Sequence, residues 1–261
     1  LRSLEEYAPW VRKIFIVSNC KPPAWLDMNN VKINWVYHED IFEDHELPTF
    51  SSHAIESKLH KIPGLSNFFV YANDDVILAR LTKKSDFFYS NGLCKVKLES
   101  YGSVNANIDE SEPDYLNAAR NGQKLIFSKF GKIPTQLHTH SPNALRKDIL
   151  EEMEVDFKID FDRTSSNKFR HVSDISVTSF LFSHYVYFKG YGVYDPTPSR
   201  LIKDTQKFVA IYENLRNRKC SQRFISFCIN DGAESEQNEL WNRESLVFLN
   251  DYFPNKSQFE I

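Results

Sequence analysis

Phe68-Phe-Val-Tyr-Ala-Asn-Asp-Asp75 runs four apolar residues into an amide and two adjacent carboxylates. An apolar run without alternation suits a strand buried on both faces of a parallel sheet. The charges behind it are the costliest to bury, so they mark where the strand leaves the interior. Upstream, Lys13-Ile-Phe-Ile-Val-Ser-Asn19 is another run of strand length. Val31-Lys-Ile-Asn-Trp-Val-Tyr37 alternates well enough for a further strand, with Val31, Ile33, Trp35 and Tyr37 on one face. Between them and Phe68, Pro48-Thr-Phe-Ser-Ser52 is a turn and cap leading into a helix over 53–62, which stops before Pro63-Gly64. Strand, strand, helix, strand at these intervals predicts a doubly wound α/β fold, in which ligands gather at the carboxyl ends of parallel strands. Asn73-Asp74-Asp75 stands at such an end.

Outward from this core, residues 1–7 read as a helix end closed by Pro9. The pattern weakens over 82–107, where a hairpin is expected, and a helix follows within 110–130. Leu145, Ile149 and Met153 recur at four-residue spacing and predict a helix over 142–153. Residues 160–168 are polar and read as a loop. The apolar stretch 173–187 predicts a long helix, its Val, Ile and Thr content leaving a strand open. Two late strands are expected at 207–212 and 223–229, then a final helix from about Ser235 to Tyr252, ahead of Pro254.

The 261 residues suffice for one large α/β domain, and a single domain over 1–261 is expected. A net charge of −3 with mixed signs excludes a global nucleic-acid or membrane-surface field and leaves room for a local basic pocket. Cys20, Cys94, Cys220 and Cys228 are scattered and form no CxxC pair, which argues against a zinc ribbon or disulfide framework and for a reducing compartment. No apolar run approaches the ~18 residues of a membrane span, so a soluble, cytoplasmic protein is expected. The chain opens on Leu1 with neither initiator Met nor signal region and reads as part of a longer protein.

Several side chains could carry chemistry. Adjacent Asp74 and Asp75 could hold Mg²⁺, which commonly takes one or two carboxylates plus substrate phosphate oxygens; Asn73-Asp74-Asp75 is equally the material of an ordinary turn, the simpler local reading. Glu56 and His60 stand four apart on the helix after Ser51-Ser52 and could line a cleft beside the strand, or form a solvated pair. His138-Thr-His140-Ser-Pro142 places two imidazoles before a helix start, either as general base for a sugar hydroxyl or as helix-start polarity; their spacing points them differently, so one of the two and not both is expected to act. Arg170, beside His171, could grip a phosphate bidentately. Phe227-Cys-Ile-Asn230-Asp231-Gly232 ends a second strand on an Asn-Asp pair.

In order along the chain, Leu1-Arg-Ser-Leu-Glu-Glu-Tyr-Ala-Pro-Trp-Val-Arg12, Phe15-Ile-Val-Ser-Asn19, Pro23-Ala-Trp-Leu26, His38-Glu-Asp-Ile-Phe42, Leu47-Pro-Thr-Phe50, Ala54-Ile-Glu-Ser57, Leu59-His-Lys-Ile-Pro-Gly-Leu65 and Asn73-Asp-Asp-Val76 resemble the second conserved block of the Stealth family. That family contains bacterial capsule polymerases and the catalytic subunits of animal N-acetylglucosamine-1-phosphotransferase. Residues 1–80 carry this block and 81–135 a variable segment; 136–190, with His140-Ser-Pro142, Arg170-His171 and Asp174-Ile175, look like the third block, and 207–261, with Phe227-Cys-Ile-Asn-Asp231 and Phe253-Pro-Asn-Lys-Ser-Gln-Phe-Glu260, like the fourth. The short, cysteine-poor segment between the second and third blocks resembles bacterial members rather than animal ones. The family's first block, which supplies a strand and an acidic residue, is absent upstream of Leu1.

The resemblance implies an α/β fold with a GT-A-like or Rossmann-like, mostly parallel sheet flanked by helices, its first strand missing from this chain. It implies transfer of a hexosamine 1-phosphate from a UDP-sugar, such as UDP-GlcNAc, to a saccharide hydroxyl in capsule biogenesis, with release of UMP. His140, Asp74 and Arg170 are then catalytic; Asn73, Glu56, His60, His171, Asn230 and Asp231 bind substrate; and Asp74 and Asp75 hold Mg²⁺ or Mn²⁺. The implied partners are the UDP-sugar donor, the saccharide acceptor and a membrane capsule-assembly complex reached peripherally from the cytoplasm, with no nucleic acid. A metal-dependent glycosyltransferase releasing UDP and an incomplete sugar-nucleotide-binding fragment are the alternatives.

Overall fold

A computed structural model describes residues 1–217, 219, 223–231 and 237–261. Cys220, Gly232 and the expected start of the last helix near Ser235 lie outside the described residues. Helix α1 (Arg2–Tyr7) ends ahead of Pro9, and β1 (Ile14–Val17) then pairs in parallel with β2 (Ile33–Val36). Val31 and Tyr37 fall outside β2, and Val31 is 90% exposed, so the expected shared face is confined to Ile33 and Trp35. The Ser51 hydroxyl accepts from the Ala54 amide and caps α2 (Ser52–Ser57). At Lys58 the backbone tightens into a 3₁₀ turn over Leu59–Lys61, so Glu56 and His60 do not share a helical face.

Strand β3 (Phe68–Tyr71) leads through Asn73-Asp74-Asp75 into β4 (Val76–Leu78). After a tight bend closed by Tyr89 N–H to Leu93 O, with Gly92 at φ 84°, come β5 (Cys94–Val96) and β6 (Leu98–Gly102), so the expected hairpin is present as the Phe88–Cys94 bridge. Helix α3 (Asp114–Phe130) follows, ended by Gly131 in the left-handed conformation, then β7 (Gln136–His138), which pairs antiparallel with β6.

The helix expected over 142–153 begins only at Lys147. Asn143–Arg146 is instead a strand, β8, lying antiparallel to β3 with Tyr71 opposite Asn143; the tertiary partner overrides the helical spacing of Leu145. Helix α4 (Lys147–Asp156) leads into α5 (Lys158–Ser165), where a loop is expected: Phe161, Thr164 and Ser165 are buried at helical spacing within an otherwise polar run. A π-helical turn, Val177–Leu181, runs into α6 (Phe182–Lys189), as the apolar stretch predicts. Then come β9 (Gly192–Tyr194), parallel to β5, and β10 (Arg200–Lys203). The strand expected at 207–212 is helix α7 (Phe208–Asn217), in which Phe208, Tyr212 and Leu215 bury one face. Strand β11 (Ser226–Asn230) lies between β10, parallel, and β4, antiparallel, and α8 (Glu239–Tyr252) closes the chain.

The fold is mixed α/β. Among the described residues three strand pairings are parallel and three antiparallel, because β3 and β4 both take antiparallel partners, which corrects the mostly parallel sheet expected from sequence. One core packs α3, β8, α4 and α6 around Leu145, Leu150, Met153 and Tyr185. A second, largely aromatic, packs α7 and α8 on β11 through Tyr212, Trp241, Phe248 and Phe227. Trp10 packs against both. Among the described residues no helix is long and apolar enough to cross a membrane.

Candidate active site

Asn73-Asp74-Asp75 is both a turn and a strand end. The Val76 amide donates to Asn73 O at 3.1 Å, and the chain leaves the β3–β8 pair there to join β11 and β10, with the Ile229 amide donating to Asp75 O at 3.0 Å. A cleft of about 2480 Å³ opens over this crossing and is lined by Asn73, Asp74, Asp75, Arg170, Asn230 and Asp231, six of the residues selected from sequence.

Asp75 Oδ2 accepts from the Cys228 thiol at 3.1 Å and from Asn230 Nδ2 at 3.2 Å. Burial and then the neighbouring carboxylate push the Cys228 thiol well up, which keeps it protonated as a donor. Asp75 Oδ1 is buried and has no hydrogen-bond partner among the described residues. Together with adjacent, exposed Asp74 it fits a hard divalent cation, for which one or two carboxylates suffice. Among the described residues no group of three or more His, Cys, Asp or Glu forms a closed metal cage. Asp231 Oδ1 accepts the indole N–H of buried Trp241 at 2.7 Å, which ties the second Asn-Asp pair to the aromatic core.

The two histidines of His138-Thr-His140 part as their spacing predicts. His138 is half-buried on β7; burial of its ring, reinforced by the Lys97 charge, lowers its pKa to about 3. His140 is exposed and does not line the cleft; loss of hydration lowers its pKa, while Asp75 and Glu99 pull it upward and Lys203 downward. Lys203 stands at the end of β10 opposite Asn230, and sequence reasoning missed it. Its only signal was the short strand Arg200-Leu-Ile-Lys203, which reads as nothing without its partner β11.

Beneath the turn, buried Glu56 accepts from Tyr71 Oη at 3.2 Å and from Thr178 Oγ1 at 2.6 Å, while Asn143 Nδ2 donates to Thr178 O at 3.3 Å. Glu56 therefore supports the strand that carries the carboxylates, and Tyr71, Thr178 and Asn143 join the site's underside unannounced by any motif. His60 is placed elsewhere: 1% exposed, it meets Glu154 at 2.9 Å and packs edge-on against Phe161, away from the cleft lining. The structure thus does not bring it together with the other residues selected from sequence as binding substrate.

Arg170 reaches the cleft from the far side, resting on Ser52 Oγ at 2.9 and 3.3 Å, and forms no ion pair among the described residues. His171 is exposed next to it, its Nδ1 2.7 Å from Ser173 Oγ. Buried Asp174 fixes this segment by accepting from His171 N, Asn167 Nδ2 and His53 Nδ1. The cleft thus sets two carboxylates against a guanidinium that forms no ion pair among the described residues, with Lys203 and His140 outside its lining but close enough for their charges to act on the Asp75 and Cys228 pair, an arrangement suited to a phosphorylated substrate.

Comparison with known proteins follows the same lines. Residues 1–96 match Stealth protein CR2, conserved region 2, and residues 139–187 match Stealth protein CR3, conserved region 3. The whole chain is 49% identical over 264 residues to capsular polysaccharide phosphotransferase SacB of Neisseria meningitidis serogroup A, covering 48% of that protein. It is 38% identical over 263 residues to exopolysaccharide phosphotransferase CpsY of Mycobacterium tuberculosis, covering 49% of it. The chain spans about half the length of these relatives. Two conserved regions in register with the cleft's own residues, and identity running from end to end, place this chain in the Stealth family.

Proposed function

We propose that this chain forms part of a phosphotransferase of capsular polysaccharide synthesis, moving a hexosamine 1-phosphate from a UDP-sugar to a saccharide hydroxyl. The observation that carries the reading is the buried oxygen of Asp75 that has no hydrogen-bond partner among the described residues, in a residue lining the same cleft as Arg170, in a chain whose relatives are named capsular and exopolysaccharide phosphotransferases. In this mechanism His140 takes the proton of the acceptor hydroxyl, whose oxygen forms a bond to the sugar-bearing phosphorus. The bond from that phosphorus to the bridging oxygen breaks, and UMP leaves with the oxygen. Arg170 grips the transferred phosphate, and Asn73, Asn230, Asp231 and His171 hold the donor and acceptor. Asp74 and Asp75 would hold Mg²⁺ or Mn²⁺, which supplies positive charge to offset that of the diphosphate. Cys228 and Asn230 keep the Asp75 carboxylate turned for this purpose.

A GT-A-like sheet is part of the proposal. Strands β1 and β3 line the same cleft, and each is paired on one edge only among the described residues, so one further strand between them would join the two pairs. In the same reading the protein works in the cytoplasm, peripherally at the inner face of a bacterial membrane with a capsule-assembly complex; the relatives' names support the tie to capsular polysaccharide and exopolysaccharide.

The test incubates the full-length protein with a panel of UDP-N-acetylhexosamines and a saccharide acceptor, with and without Mg²⁺. A phosphodiester by phosphorus NMR with UMP released is expected. Release of UDP would make the protein a glycosyltransferase, and donor binding without turnover would make it a sugar-nucleotide-binding module.

A further inference from the structure

Two phenylalanine rings at the margin of the cleft are exposed and yet ordered against each other. Phe50 and Phe169 are 66% and 68% exposed, with ring centroids 5.4 Å apart and planes inclined by only 17°. Their backbones are tied: the Phe50 amide donates to Lys168 O at 2.7 Å, and Thr49 Oγ1 donates to Asn167 O at 3.0 Å. The fully buried Asp174 clamps the same segment from below through His171 N at 2.9 Å, Asn167 Nδ2 at 2.7 Å and His53 Nδ1 at 3.2 Å. A buried carboxylate spent on holding an exposed Lys-Phe-Arg-His segment is preorganisation of a surface, which lowers the entropic cost of binding to it.

The chemistry on offer is narrow. An aromatic face takes the apolar C–H face of a pyranose ring, and Lys168 and Arg170, on either side of Phe169, form no ion pair among the described residues. Rings and cations alternating along an extended surface complement sugars alternating with phosphodiester anions. Ser52 and Arg170, hydrogen-bonded to each other and lining the cleft, connect this surface to the carboxylates at Asn73-Asp74-Asp75.

We propose that Phe50 and Phe169 form a stacking platform for the saccharide acceptor, receiving a sugar of a phosphodiester-linked hexosamine chain while Lys168 meets its phosphate and Arg170 stays with the transferred phosphate. The inference rests on the function proposed above for the identity of the chain, not for the presence of a saccharide site. Because the platform lies at the cleft's margin, it holds a sugar set back from the reacting end.

The test uses the full-length protein and its Phe50→Ala, Phe169→Ala and Phe169→Tyr variants, with a phosphodiester-linked N-acetylhexosamine oligosaccharide and the corresponding single sugar as acceptors. Both alanine variants are expected to raise KM for the oligosaccharide about tenfold, as loss of an aromatic anchor does. Their kcat at saturating acceptor, donor KM and KM for the single sugar stay as in the parent, and Phe169→Tyr restores the oligosaccharide KM. Saturation-transfer NMR with the oligosaccharide and no donor tests the platform without turnover: enhancement lost in the alanine variants supports it even where the proposed reaction fails. Unchanged oligosaccharide binding in both alanine variants overturns it. So does loss of binding to phosphatidylglycerol vesicles with oligosaccharide binding intact, which would make the two rings a membrane anchor.

Discussion

Asp75 carries its charge on two oxygens in different company: one accepts from Cys228 and Asn230, the other is buried with no partner among the described residues. Removing a donor to a charged group typically costs ~1.5–3 kcal/mol, and here the loss would let the carboxylate rotate. Cys228→Ala should therefore weaken the apparent Mg²⁺ affinity by about tenfold, with Cys228→Ser largely restoring it, measured by metal titration of donor binding. Equal metal dependence in both variants would remove Cys228 from the positioning of Asp75. His140 makes a second claim at this scale. Burial lowers its pKa below the ordinary ~6.5 of an imidazole and outweighs the carboxylates that pull it up, so the free base persists further into acid. The acidic limb of kcat/KM should fall below pH ~6.5, and His140→Ala should cut transfer by ~10² to 10⁴ with donor binding intact. A limb unmoved in that variant's residual activity would assign the base elsewhere. An amide and two carboxylates behind an apolar run made Asn73, Asp74 and Asp75 legible as a strand end and turn, and only the resemblance of the blocks around them singled them out as site residues. Cys228 and Lys203 were not legible, because each acquires its role only when β11 pairs with β4 and β10.

Strands and helices divided by the same rule. Strands β1 and β3 and helices α3 and α8 announce themselves as continuous or periodic apolar segments, and the chain forms them where expected. Strand β8, helix α5 and helix α7 were misread, since Asn143–Arg146 owes its extension to β3 and Phe208–Asn217 shows its helical face only against α8 and β11. The β7–α6 contact yields a stability prediction. His138 on β7 and His184 on α6, whose Nε2 donates to Gln136 O at 2.8 Å, are held neutral by burial, with pKa values of about 3 and about 4. An unfolded histidine titrates near ~6.5, so below that pH the unfolded chain binds protons that the folded one refuses. Stability should fall as pH drops from ~6.5 toward 4 and level only as the native imidazoles protonate. Urea midpoints measured across that range should show the slope, and His184→Phe should flatten it even while lowering stability overall. A parent slope retained in that variant would place the acid sensitivity elsewhere.

At the scale of the molecule, the cleft is larger than the ~300–1,000 Å³ of an ordinary ligand pocket, at about 2480 Å³. Part of that space runs along strand residues rather than chemistry: all four residues of β1 are only half-buried although apolar, and β3 is similar. Ile14 and Ser18 donate to β2 from one edge, so ladder alternation turns the amides of Phe15 and Val17 to the other edge. On β3 the pairing of Asn67 with Lys147 likewise leaves the amides of Phe68 and Val70 facing away from β8. Open apolar edges of this kind are what natural sheets avoid. If a further strand of the longer protein completes a GT-A-like sheet, these four amides become hydrogen-bonded and the apolar side chains beside them dry. Hydrogen exchange should then find Phe15, Val17, Phe68 and Val70 strongly protected in the full-length protein and fast in a fragment of residues 1–261, which should also bind a hydrophobic dye. Equal exchange in the two would show that the cleft stays open along its whole length. The GT-A-like sheet would then be lost, while the carboxylates and Arg170 would keep their places, because β4, β11 and the Asp174 clamp hold them independently of that edge.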